Sequence, residues 1–169
     1  FGIASNGGPL TLTGAGDGSI TKVISGTDTA LLKTGSGTWH LGGTNTYGGG
    51  TTVSEGTLQC NNTASLPGAA TVESNSSDET KFGTLFMNLG NTTWSQDVSG
   101  SGRWKVATTS GLQTTALSGN YSAFNGTLEV ATGSGKIHLG TAANYPAAGS
   151  TIQLNPNTTV YLTGGGTLQ

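Results

Sequence analysis

Apolar and polar residues alternate along this chain in short runs, each closed by Gly, Ser or Asn. A period of two is the mark of a half-buried strand, and the small polar residues supply the turns between strands. The pattern predicts strands at residues 19–24, 30–33, 38–41, 51–53, 57–60, 70–73, 84–88, 93–98, 102–107, 114–118, 127–130, 136–139, 151–154 and 159–163, with a last one starting at Thr167. The longest stretches without such alternation are 61–69, 74–83 and 140–149. No stretch shows the 3.6-residue period of an amphipathic helix.

The strands repeat. Gly-Thr-Leu returns at residues 56–58, 83–85, 126–128 and 166–168, and Gly-small-Gly precedes strands at 14–16, 35–37, 100–102 and 133–135. If the first Gly-Thr-Leu interval is one unit and the next two are two units each, the period is about 20 to 27 residues, in the range of solenoids. One unit is then a coil of three short strands. Stacked at ~4.8 Å, about eight coils form a parallel β-helix roughly 40 Å long. An antiparallel sandwich also uses short, evenly spaced strands, but it gives no reason for one tripeptide to recur at quasi-periodic positions.

Composition supports an all-β chain and removes several functions. The 169 residues include 30 Gly, 30 Thr and 17 Ser, with 8% charged residues against roughly 25% in an ordinary globular protein. Threonine suits a pleated, half-exposed strand, and the residues that fill helix surfaces are scarce. Leu, Ile, Val and Phe total only 32, so folding depends on the pattern rather than on bulk hydrophobicity. Net charge is −2, with six scattered basic residues, which excludes the basic stripe that nucleic acid requires. No run of about 18 apolar residues suggests a spanning helix. The single cysteine, Cys60, rules out an internal disulfide.

Residues 31–60 read LLKTGSGTWHLGGTNTYGGGTTVSEGTLQC. Lys33, Gly35, Gly37, Thr38, Leu41, Gly43, Asn45, Tyr47, Gly49, Thr51, Val53, Gly56 and Leu58 follow a pattern that resembles the autotransporter-associated β-strand repeat. Fainter echoes lie at 98–106 and 117–128. The resemblance implies a right-handed parallel β-helix of about eight three-stranded coils, one domain spanning residues 1–169. It further implies a passenger fragment or processed piece of a longer secreted or bacterial cell-surface protein. Trp39 and Trp104 stand where that repeat prefers Leu. Both are therefore expected in the core, with Thr38, His40 and Lys105 pointing outward.

Candidate chemistry is sparse. Asp78 and Glu79 are a local carboxylate pair in a charged loop, and acid–base work on a glycan needs such a pair. Glu55 and Glu73 are separated by about one coil and could share a face in a solenoid, but both follow strands near turns and are expected as solvated rim charges. His40 and His138 repeat one scaffold slot, and no converging set of three or four metal ligands accompanies them. No metal or other cofactor is expected. Gly-rich runs at 42–43, 48–50 and 164–166 lack the ending of a phosphate loop.

Aromatic rings stack on sugars, and Trp94, Tyr47, Tyr121, Tyr145 and Tyr161 are the carbohydrate-contact candidates. Tyr47 and Tyr121 stand at repeat positions, whereas the repeat gives no reason for Trp94. N-glycosylation sequons occur at Asn61, Asn75, Asn91, Asn120, Asn125 and Asn157, a mild excess over the number that composition alone supplies.

The leading expectation is a non-catalytic secreted or surface β-helical segment acting as stalk, adhesin or self-association surface. A polysaccharide lyase or glycoside hydrolase module and a carbohydrate-binding module are the alternatives. Residues 1–12 and 162–169 carry no polar cap. An adjoining part of a longer chain, or a second chain, is therefore expected at the open ends. Polysaccharide and like rods are further candidate partners, and nucleic acid is not.

Overall fold

The computed structural model describes residues 2–5, 8–74, 78, 81–108, 113–131, 135–140 and 145–162. They form a parallel β-solenoid of about seven turns, one fewer than the repeat arithmetic suggests. The first three coils each hold three strands: β1 (Ile3–Ala4), β2 (Leu10–Leu12) and β3 (Gly18–Ile20); β4 (Ile24–Gly26), β5 (Leu31–Lys33) and β6 (Thr38–Leu41); β7 (Thr46–Tyr47), β8 (Thr51–Val53) and β9 (Gly56–Cys60). In the fourth coil a single 3-10 turn at Thr63–Ser65 replaces the first strand, followed by β10 (Ala70–Val72) and β11 (Gly83–Leu89). The remainder comprises β12 (Thr92–Trp94), β13 (Val98–Ser99), β14 (Arg103–Thr108), β15 (Thr114–Leu117), β16 (Thr127–Val130), β17 (Lys136–Leu139), β18 (Thr151–Leu154) and β19 (Thr159–Leu162).

All strand pairs are parallel, and each joins one coil to the next. The first strands of the coils make two sheets, β1-β4-β7 and β12-β15-β17-β19, separated where the 3-10 turn stands. The second strands make β2-β5-β8-β10-β13, and the third make the continuous seven-stranded sheet β3-β6-β9-β11-β14-β16-β18. In that sheet Gly18, Trp39, Leu58, Leu85, Trp104, Leu128 and Ile152 stand in register. The steps between these positions are unequal, and the longest runs from Leu58 to Leu85. In that coil an antiparallel bridge pairs Ser74 with Phe82.

Two expected strands are each divided. Residues 19–24 contain a corner between β3 and β4, and 93–98 contain one between β12 and β13, because a closed coil of three strands must turn every few positions. β1, β2 and β7 fall outside the expected segments, and β1 and β7 hold only two residues each. Gly56 and Gly83 pair directly, and Gly102 lies between Gly83 and Gly126 in the stack, so the recurrent Gly-Thr-Leu marks the entry to the long sheet. The fourth copy at 166–168, and the strand expected from Thr167, lie outside the described residues.

Inward side chains from successive coils form the core. Leu41, Cys60, Met87, Val106 and Val130 make one buried column of the long sheet, and Leu58, Leu85, Trp104 and Leu128 make another. Trp104 is fully buried, as expected. Trp39 is only partly covered, packing on the core with its indole N–H donating to the Thr13 carbonyl at 3.3 Å. Gly18 lies beneath that ring, where a Cβ would come within 2.8 Å of it.

Candidate functional site

Within the repeat at 31–59, Lys33, Asn45 and Tyr47 belong to the interior. Lys33 is fully buried, and its Nζ donates to the carbonyls of Thr34 (2.9 Å), Gly35 (2.6 Å) and Glu55 (2.9 Å). One cation therefore closes two corners of adjacent coils. Burial lowers its pKa, while the Glu55 carboxylate acts in the opposite direction. Asn45 Oδ1 accepts from the Ile24 amide (2.9 Å) and its Nδ2 donates to the Ser65 carbonyl (2.7 Å), spanning three coils. Tyr47 hydroxyl lies 2.7 Å from Thr51 Oγ1. Replacing Lys33 with Met keeps the apolar stem but leaves three carbonyls without their donor. A loss of about 1–3 kcal/mol is expected, read as a lower urea midpoint with an unchanged slope.

The expected sugar platforms need correction. Trp94, Tyr47 and Tyr121 are buried in the stack and present no ring face to a ligand. Trp94 is the inward residue of β12, in register with Leu117, and among the described residues its indole N–H has no hydrogen-bond partner. Tyr121 lies against Trp104 with ring centroids 4.6 Å apart. Tyr145 is half-buried against the core, its hydroxyl enclosed and, among the described residues, without a hydrogen-bond partner. Tyr161 is exposed and lies under the Lys136 ammonium.

Asp78 pairs with Lys81 at 3.7 Å, while Glu79 lies outside the described residues. Glu55 and Glu73 do come together: with Thr34, Ser54, Ser74 and Lys81 they line one shallow depression. Ser54 Oγ donates to Glu73 Oε2 at 2.5 Å. His40 and His138 belong to different sheets, and among the described residues no group of three or more His, Cys, Asp or Glu is placed to hold a metal. Of the sequons, Asn61, Asn91, Asn120, Asn125 and Asn157 are exposed, and Asn75 lies outside the described residues.

Burial pushes the Cys60 thiol up from 9.0 to about 12 and holds the Tyr47 and Tyr121 phenols above their ordinary value of 10. A raised folded pKa means that the unfolded chain loses its proton first, so stability present at neutral pH is lost as pH rises past 9. Lys33 acts the other way below 10.5, being the one lowered group against three raised ones. Urea midpoints are therefore expected to fall from pH 9 upward, and Cys60→Ala should flatten that slope by up to ~1.4 kcal/mol per pH unit between 9 and 12.

The outer face of the long sheet carries a groove that motif reading missed. Two rows of outward residues run across the coils. Thr38, Thr57, Thr84 and Arg103 form one, and Gln59, Phe86, Lys105 and Glu129 form the other. Together with Phe82 they line a single groove. Arg103 lies over the Phe82 ring (4.7 Å) and Lys105 over the Phe86 ring (5.3 Å). Both cations face Glu129, at 3.7 and 3.3 Å, and Asn155 Nδ2 donates to the same carboxylate at 3.0 Å. The available signal was the coil period, which puts residues 86, 105 and 129 in one row.

Fold and geometry define a repeat solenoid whose coils are locked by a buried lysine and a buried asparagine. Residues 31–59 match the family model of the passenger-associated-transport-repeat. No curated protein and no solved structure matches the chain. The repeat and the fold agree with an autotransporter passenger-like β-helix, and this repeat family points to a secreted or cell-surface protein.

Proposed function

We propose that the chain is a non-catalytic passenger segment of a secreted or surface-displayed protein, a stalk whose long outer sheet is adhesive. The observation that carries this reading is the use of the repeat's most specific residues, Lys33, Asn45 and Tyr47, for coil stacking. The outer face of the long sheet carries a row of threonines beside a cluster of charged and aromatic side chains. A further coil, from an adjoining part of a longer chain or from a second chain, seats on the first or last described coil. The exposure of Ile3, Val23, Leu154 and Tyr161 supports this. Cells displaying the chain should settle by mutual adhesion, and Lys in place of the half-buried Thr38, Thr57 and Thr127 should abolish settling through like-charge repulsion. Unchanged settling in that variant removes the adhesive sheet.

A polysaccharide-active module is the second reading, favoured by the convergence of Glu55 and Glu73 on one depression. Release of reducing ends from a polysaccharide panel, lost in Glu73→Gln, would replace the first reading with this one.

A further inference from the structure

We infer that the groove on the long sheet is a binding site for an acidic polysaccharide, a glycan strand bearing carboxylates and lying along the solenoid axis. Three features carry the assignment.

The first is fixed positive charge. Glu129 is 7% exposed and is held by Asn155. It anchors Arg103 and Lys105 from one side, while Phe82 and Phe86 support them from below. Their side chains remain 40% and 34% exposed, and the groove carries two cations against one anion. Cations already ordered lose little entropy on binding, and a guanidinium fork matches a carboxylate.

The second is the row that leads to Arg103. Thr38 and Thr57 present one hydroxyl per coil, at the ~4.8 Å spacing of stacked strands, with the buried Thr84 between them and Arg103 and Gln59 beside them. A polymer of hydroxylated rings in an extended conformation meets such a row repeatedly, whereas a lone small anion uses only its end.

The third is the covering of the aromatic rings. The Phe82 and Phe86 faces are occupied by Arg103 and Lys105, so the groove is built for charge and hydroxyls rather than for stacking of a neutral sugar. This assignment does not rest on the stalk reading, because the groove is complete within one chain.

The test is affinity electrophoresis of the monomeric chain in gels containing sodium polygalacturonate, its fully methyl-esterified form, or double-stranded DNA. The wild-type chain is expected to be retarded by the acid polymer, less so at high salt, and to migrate freely in the ester and DNA gels. Arg103→Gln/Lys105→Gln should weaken retention about tenfold or more, and Lys105→Gln alone should weaken it by less. Thermal melts confirm that each variant is folded, and Lys105→Gln serves if the double variant is not. Equal retardation by the ester, equal retardation by DNA, no retardation of the wild type, or a folded double or single variant that binds as well as wild type would each overturn the assignment. Cell settling is unaffected by any of these results, so failure of this inference and failure of the adhesive-stalk reading are separately visible.

Discussion

Trp104→Ala is expected to destabilise the chain by about 3–5 kcal/mol, the range for removing a buried aromatic side chain. Trp104 is fully buried and is the largest inward residue of the long sheet's central column. Its ring touches Tyr121 (4.6 Å between centroids) and Phe124 (5.9 Å, edge-on), and its indole N–H donates to Met87 Sδ at 3.0 Å. Truncation leaves a void between three coils and exposes none of them to water. In a solenoid each coil contacts only its neighbours, so the loss should be local at first. Hydrogen exchange is expected to accelerate in β14, β15 and β16 before it does in β5 and β8. A melting temperature lowered by less than about 5 °C, against the roughly 2–4 °C per kcal/mol of a chain this size, would show that the stack closes over the gap.

Gly83→Ala is expected to be comparably damaging for the opposite reason. A Cβ at Gly83 would lie 1.9 Å from the Val53 carbonyl oxygen, a backbone atom that cannot rotate away. Its own amide donates to the Glu73 carbonyl at 2.7 Å, which fixes the strand from the other side. Overpacking of this kind costs about 1–3 kcal/mol and sometimes more, and here it pushes apart the pairing of β9 and β11. Gly68→Ala is the control, since nothing lies within 4 Å of a Cβ there and the change should be neutral or stabilising by less than ~1 kcal/mol. Urea unfolding of the two variants side by side checks both statements. Equal midpoints would mean that the coils slide to admit a methyl group.

The contrast between these residues shows what could be read in advance. Gly83 belongs to the recurring Gly-Thr-Leu that marks the coil period, but the close approach of the Val53 carbonyl that bars a side chain there comes from the neighbouring coil. Trp104 is legible as an inward residue because it stands where the repeat it resembles has Leu. Lys33 and Asn45 were visible as motif positions, but their hydrogen bonds were not, because the acceptor at Glu55 and the partners at Ile24 and Ser65 lie a full coil away along the chain. Trp94 was misjudged as a surface platform because it lies outside the repeat's pattern. Its burial depends on the coil that follows, whose Leu117 occupies the same inward row.

For this chain, period-two alternation and a quasi-regular Gly-Thr-Leu spacing by themselves determined the all-β class, the approximate coil length and the stacking of coils, because a strand short of inward bulk must lie against a copy of itself. The tertiary structure decided the contents of each row. The long coil from Leu58 to Leu85 stands between two shorter ones, Trp39 to Leu58 and Leu85 to Trp104. That inequality shifts which distant residues meet, and no local pattern records the offset. Hence Glu129 meets Arg103 and Lys105 across the sheet, and the aromatic residues divide between the interior and the groove, through sums of coil lengths that only the folded stack computes.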